Sequence, residues 1–129
     1  MPISQIPIFS MLRTRMQWHQ ERQQLLAENV SNANVPQFKP RDLAPPNLGD
    51  APTAIAIART NPAHLAGASD LPQFQLDRRG QFEVRPGGNG VNLEDEMLKV
   101  AANQMDYQAV TALYSRGLGL IRTALGKRA

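Results

Sequence analysis

The strongest constraint on the fold is where the helix-breaking residues stand. Of ten prolines, eight fall between residues 36 and 86, and six of nine glycines fall between 49 and 90. Proline lacks the amide proton that a helix interior uses, and glycine loses the most backbone freedom on ordering. The middle of the chain therefore cannot be one long helix, whereas both ends can. With 129 residues there is material for one domain. The reading is three segments: an N-terminal helix over 1–34, a Pro/Gly-rich middle over 35–91, and a C-terminal helix over 92–129. The two helices form one packing unit.

Hydrophobic spacing supports that division. From Pro7 to about Ala33, steps of three and four visit Phe9, Leu12, Met16, His19, Gln23, Leu26, Val30 and Ala33. This is the narrow seam of a coiled-coil-like helix, widened by Met11, Trp18 and Leu25. The C-terminal segment repeats the design at Leu93, Met97, Val100, Gln104, Tyr107, Thr111, Tyr114, Leu118, Ile121 and Leu125. Asn92 is placed to cap its start, Glu94, Asp95 and Glu96 suit the positive end of the helix dipole, and Gly126 suits its exit. At about 1.5 Å per residue the helices reach roughly 40 and 50 Å, so they can lie side by side as a hairpin. Seams this narrow leave the outer faces wanting neighbours, and Gly117 and Gly119 within the second helix point the same way, toward close approach of another backbone.

The expected fold is thus mainly α, a coiled-coil-like helical hairpin whose middle contains a small β-hairpin. Residues 43–53 read as a loop, 53–59 as a short strand, and 60–67 as a helical turn capped by Asn61. The β-hairpin is expected over 73–84, turning at Arg78, Arg79 and Gly80, with Phe74, Leu76, Phe82 and Val84 on one face.

Net charge is +3 with an isoelectric point near 9.8. The basic residues are dispersed among acids, without the aromatic platform or basic helix that nucleic acid calls for. A small basic helical nucleic-acid binder or other adaptor is the rival class. There is no cysteine for a disulfide framework or thiol catalysis. His19 and His64 have no second ligand at metal spacing, and RPGGNG at 85–90 lacks the lysine of a nucleotide loop. No catalytic, cofactor-binding or metal residue is expected. No apolar run is long enough for a cleaved secretion signal or a membrane span.

The junction LLAENVSNANVPQFKPRD, residues 25–42, carries a recognisable pattern. It resembles the N-terminal motif of the bacterial flagellar rod and hook proteins, a helix ending in a pattern like LAxNxxNAxTPGYK. Leu26, Ala27, Asn29, Asn32, Ala33, Pro36 and Lys39 fit, while Val35, Gln37 and Phe38 replace the usual threonine, glycine and tyrosine. Asn32 and Asn34 are expected to close the helix, with Pro36 forbidding its continuation. ARTNPAHLAG at 58–67 and the stretch from Gly88 to Gly126 are similar to proximal rod members of that family.

The resemblance implies a structural subunit of the proximal rod, which transmits torque from the MS ring. Such proteins are exported through the flagellar type III apparatus without a cleaved signal and assemble in the periplasm. Implied partners are further copies, the rod proteins FlgC and FlgF, the adaptor FliE, the MS ring and the export gate. The assembly seam is expected at Phe9, Leu12, Met16, Leu26, Val30, Met97, Val100, Tyr107, Tyr114, Leu118, Ile121 and Leu125, and the family motif at Asn29, Asn32, Ala33, Asn34, Pro36 and Lys39.

Overall fold

The structure, a computed structural model, describes residues 6–46, 74–77 and 85–126. Helix α1 spans Pro7–Ser31 and helix α2 spans Leu93–Ala124. Between them in sequence, the described residues include two short strands, β1 at Asp42–Leu43 and β2 at Leu76–Asp77, paired antiparallel with Leu43 opposite Leu76.

The helix ends follow from local chemistry. Pro7 opens α1, where its missing amide proton costs nothing. Asn92 caps α2 by accepting from the Glu94 amide at 3.2 Å, and Gly126 follows its last turn with φ +70°. α1 ends without a left-handed residue: Asn32 closes it at φ −98°, and its side-chain Nδ2 donates to the Glu28 carbonyl at 2.7 Å. Asn34 is exposed in the turn beyond. The expected role of the two asparagines therefore belongs to Asn32 alone.

The helices run antiparallel, with Phe9 against Tyr114 and Gly117, His19 against Asn103, and Asn29 against Glu96. On α1 the inner face is the expected line: Phe9, His19, Leu26 and Ala33 are buried, and Leu12, Met16, Gln23 and Val30 half-buried. On α2 six of the ten expected positions are inside, with Val100, Tyr107, Thr111, Tyr114, Leu118 and Ile121 half-buried. In the first half of the helix the buried line is displaced by one residue. Glu96 and Asn103 are buried where Met97 and Gln104 were expected, Met97 being 59% exposed, and Val110 is buried beside the half-buried Thr111. Leu125 also lies outside the hairpin at 65% exposure. The reason is chemical: two of the three inner positions are polar, so an apolar-only reading slides the seam toward the methionine next door.

The chain then doubles back. Residues 38–44 return along a second face of α1, where Trp18 and Asn29 are buried, and Leu43 is buried in β1 rather than in the expected loop. Trp18 Nε1 donates to the Ala44 carbonyl at 2.7 Å, Arg22 pairs with Asp42, and Asn29 bonds the Arg41 backbone. Of the expected β-hairpin, Leu76 is seen in β2, paired to β1. Its turn, Phe82 and Val84, and the elements expected over 53–67, lie outside the described residues.

The two helical glycines differ. A Cβ on Gly117 meets the Phe9 ring at 3.0 Å, and Phe9 is held edge-on to Tyr114 at 5.5 Å between centroids. A Cβ on Gly119 meets nothing within 4 Å. Gly119→Ala is therefore expected to raise stability by about 0.5–1 kcal/mol through helix propensity. Gly117→Ala forfeits that gain by displacing Phe9. Thermal unfolding of the two variants side by side reads the difference.

Candidate functional site

Four polar connections tie the hairpin to the helix exit. At its centre Asn29, 1% exposed, uses its whole amide: Nδ2 donates to Glu96 Oε2 at 2.9 Å and to the Arg41 carbonyl at 2.7 Å, while Oδ1 accepts from the Arg41 amide at 2.9 Å. Glu96, 3% exposed, also accepts from Lys99 Nζ at 2.8 Å. It therefore does more than complement the helix dipole. It is a buried carboxylate joining both helices and, through Asn29, the returning segment.

One stretch deeper into the hairpin, Asn103 Oδ1 lies 2.7 Å from His19 Nδ1. Asn103 Nδ2 donates to the His19 carbonyl and to Gln23 Oε1, each at 2.9 Å. That fixes Nδ1 as the protonated nitrogen, and the buried Nε2 finds no partner among the described residues. Tyr107 accepts from Gln20 at 3.1 Å across the same face. The shallow depression here, about 330 Å³, is lined by His19, Gln20, Gln23, Asn103, Gln104 and Tyr107. Amides, a phenol and one imidazole make neither a metal set nor a carboxylate acid–base pair. Among the described residues no group of three metal-ligating side chains occurs.

The third connection clasps the two ends of the middle segment. Asn89, 5% exposed, donates through Nδ2 to the carbonyls of Asn32 at 3.0 Å and Val35 at 2.5 Å, and accepts from the Val91 amide at 2.7 Å. Backbone bonds from Gln37 to Gly87 at 3.1 Å and from Gly90 to Phe38 at 3.0 Å complete it. The RPGGNG stretch is thus a docking turn against the helix exit.

The fourth is the pair of Arg22 and Asp42, with Nε–Oδ1 at 2.7 Å and Nη2–Oδ2 at 2.8 Å, under the Trp18 ring at 5.2 Å. Burial pushes the Asp42 carboxyl up, but the bonds and charge of Arg22, with the Leu43 amide, outweigh it and hold the group below the ordinary carboxylate value. The same bond raises Arg22. A lowered carboxylate contributes stability that is present above its unfolded value, near pH 4, and is lost as pH falls through its lower folded value. Acid unfolding below about pH 4 is therefore expected to cost the native chain more stability than Asp42→Asn. Paired acid titrations followed by circular dichroism read it.

Outside the hairpin, α2 carries a second apolar line on the opposite face. Leu98, Met105, Leu113 and Leu120 are 69%, 71%, 57% and 67% exposed, with Ala101, Ala102, Ala109 and Ala112 exposed among them. No helix is long and apolar enough to cross a membrane among the described residues.

Known proteins resemble the chain along most of its length. The flagellar basal body rod protein FlgB of Agrobacterium fabrum is 32% identical over 114 residues, 84% of each chain. The chain belongs to the FlgB family of flagellar basal body rod proteins. The FlgB of Bacillus subtilis is 23% identical over 81% of both chains. That of Escherichia coli is 28% identical over 78% of this chain and 80% of its own. No profile of a protein family matches the chain.

For an FlgB-family chain the motif residues have distinct placements. Asn29 and Ala33 are buried, Asn32 is half-buried at the helix end, and Asn34, Pro36 and Lys39 are exposed. Gln37 takes φ +59°, the left-handed conformation that the family glycine would adopt without strain. Gly88 faces it at φ +77°, where an added Cβ would meet Gln37 Cγ at 3.1 Å. Gln37→Gly is expected to leave the turn in place and to change stability by less than about 1 kcal/mol, with relief of backbone strain offsetting the entropy of the new glycine. Gly88→Ala is expected to be the more damaging, and thermal melts of both variants rank them. The residues missed from sequence are Glu96, Asn103, Asn89, Arg41 and Asp42. One signal pointed to Asn103: His19 and Gln23 already make the middle of the α1 seam polar, and a polar middle requires a polar partner.

Proposed function

We propose that the chain is a non-catalytic structural subunit of the proximal rod, carrying torque outward from the MS ring. Its neighbours on this reading are further copies, FlgC and FlgF, the adaptor FliE, the MS ring and the export gate. It reaches the periplasm through the flagellar type III apparatus without cleavage of a signal. The observation that carries the reading is the outward apolar line of α2, which no other described residue covers. The internal pairs Asn29–Glu96 and His19–Asn103 suit the mechanical task. Directional buried bonds disfavour sliding of one helix along the other, so the hairpin passes on load as one body. The two helix seams and the motif junction are assigned as its assembly and exit elements.

The test is to delete the gene and to label the protein in purified basal bodies. Basal bodies that lack a rod in the deletion, and label at the membrane-proximal end of the rod in the parent, are the expected results. Swimming of the deletion strain, or label away from the rod, overturns the reading.

A further inference from the structure

The outward line of α2 is self-complementary. At about 100° per residue, Glu94, Leu98, Ala101, Ala102, Met105, Ala109, Ala112 and Arg116 fall on one face, away from the Glu96, Asn103 and Val110 line that meets α1. The face starts acidic and ends basic, and neither Glu94 nor Arg116 has an ion-pair partner within the chain among the described residues.

We propose that this face docks a second copy of the same chain, the two α2 helices crossing antiparallel with Met105 on the two-fold axis. In that register Glu94 meets Arg116 of the second copy, Leu98 lies over Ala112, Ala101 lies over Ala109, and Met105 meets Met105. Leu98 faces the small Ala112, the alanines 101 and 109 let the helices approach around the central methionines, and the Glu94–Arg116 pair forms twice by symmetry. The parallel in-register alternative sets Glu94 beside Glu94 and Arg116 beside Arg116, so charge selects the antiparallel arrangement. The contact runs over about 33 Å of helix.

The pairing uses the face assigned above to rod contacts and rests on that reading for its consequence. A two-fold pair is closed, whereas a rod grows head to tail, so pairing shields Leu98, Met105 and the alanines between them until neighbours in the rod replace the second copy. Its existence is measured on the purified chain, so it can fail while the rod assignment stands, and the basal-body experiment can fail while the pair stands.

The chain has no cysteine, so a single introduced thiol reports position. Met105→Cys is expected to form a disulfide-linked pair under mild oxidation. Leu98→Cys alone stays unlinked, but mixed with Ala112→Cys it links to its partner. Sedimentation equilibrium of the full chain should give a reversible dimer. Glu94→Arg or Arg116→Glu alone weakens that dimer by roughly tenfold, and the double exchange restores it. Circular dichroism of each variant confirms that the helices persist, as these positions are exposed. A monomer throughout the micromolar range, linkage at Leu98→Cys as efficient as at Met105→Cys, or no recovery in the double exchange overturns the proposal.

Discussion

Leu26→Asp is expected to unfold the hairpin at neutral pH. Leu26 is 0% exposed on the inner line of α1, between the buried His19 and Ala33. Removing a fully buried leucine costs about 2–5 kcal/mol in lost transfer and cavity terms, and a carboxylate with no partner there adds several more. The sum approaches or exceeds the whole stability of a chain this size. Far-ultraviolet circular dichroism should show loss of most helix, and cells carrying the variant should make basal bodies without rods. Two comparisons separate the hairpin seam from the rest of the surface. Leu118→Asp, at a half-buried position near the open end, should destabilise less. Met97→Asp should shift the melt by less than about 1 kcal/mol, because the side chain is 59% exposed. Unfolding by Met97→Asp comparable to that by Leu26→Asp would mean that the inner face of α2 is misplaced by one residue.

That one-residue difference marks how far the sequence carries. α1 is legible because its inner positions are mostly apolar and its start bears a proline; the eight seam positions from Phe9 to Ala33 all lie inside or half inside. α2 is legible as a helix from its cap and length. Its inner line is not, because Glu96 and Asn103 look like surface residues until their partners are known. Those partners, Asn29, His19 and Gln23, are separated from them by 67 to 84 residues. Local periodicity carries no information about such distant satisfaction of hydrogen bonds. The turn after Pro36 is a different case. The family glycine is replaced by Gln37, yet the left-handed conformation persists, because the Gln37 amide donates to Gly87 and the adjoining Phe38 carbonyl accepts from Gly90. Tertiary contacts hold a conformation that the residue itself disfavours.

Asn29→Ala is expected to cost roughly 3 kcal/mol or more, although the substitution improves local helix propensity. Three atoms lose their Asn29 partner: Glu96 Oε2 and the carbonyl oxygen and amide nitrogen of Arg41. Glu96 would remain buried with Lys99 donating to its other oxygen, and unsatisfied buried groups each cost about 1–3 kcal/mol, more when charged. The loss should reach beyond α1. With Arg41 released, the return of residues 38–44 loosens, and the Arg22–Asp42 pair next to it weakens. The acid sensitivity assigned to Asp42 should then shrink in the same variant, a coupling that removal of an isolated hydrogen bond does not produce. Combining Asn29→Ala with Glu96→Gln tests the carboxylate's share: a neutral amide tolerates the missing partner better, so the double variant should be less unstable than the sum of the two singles. Additive losses, with an unchanged acid transition, would show that Asn29 serves only as a local bond at the end of its helix.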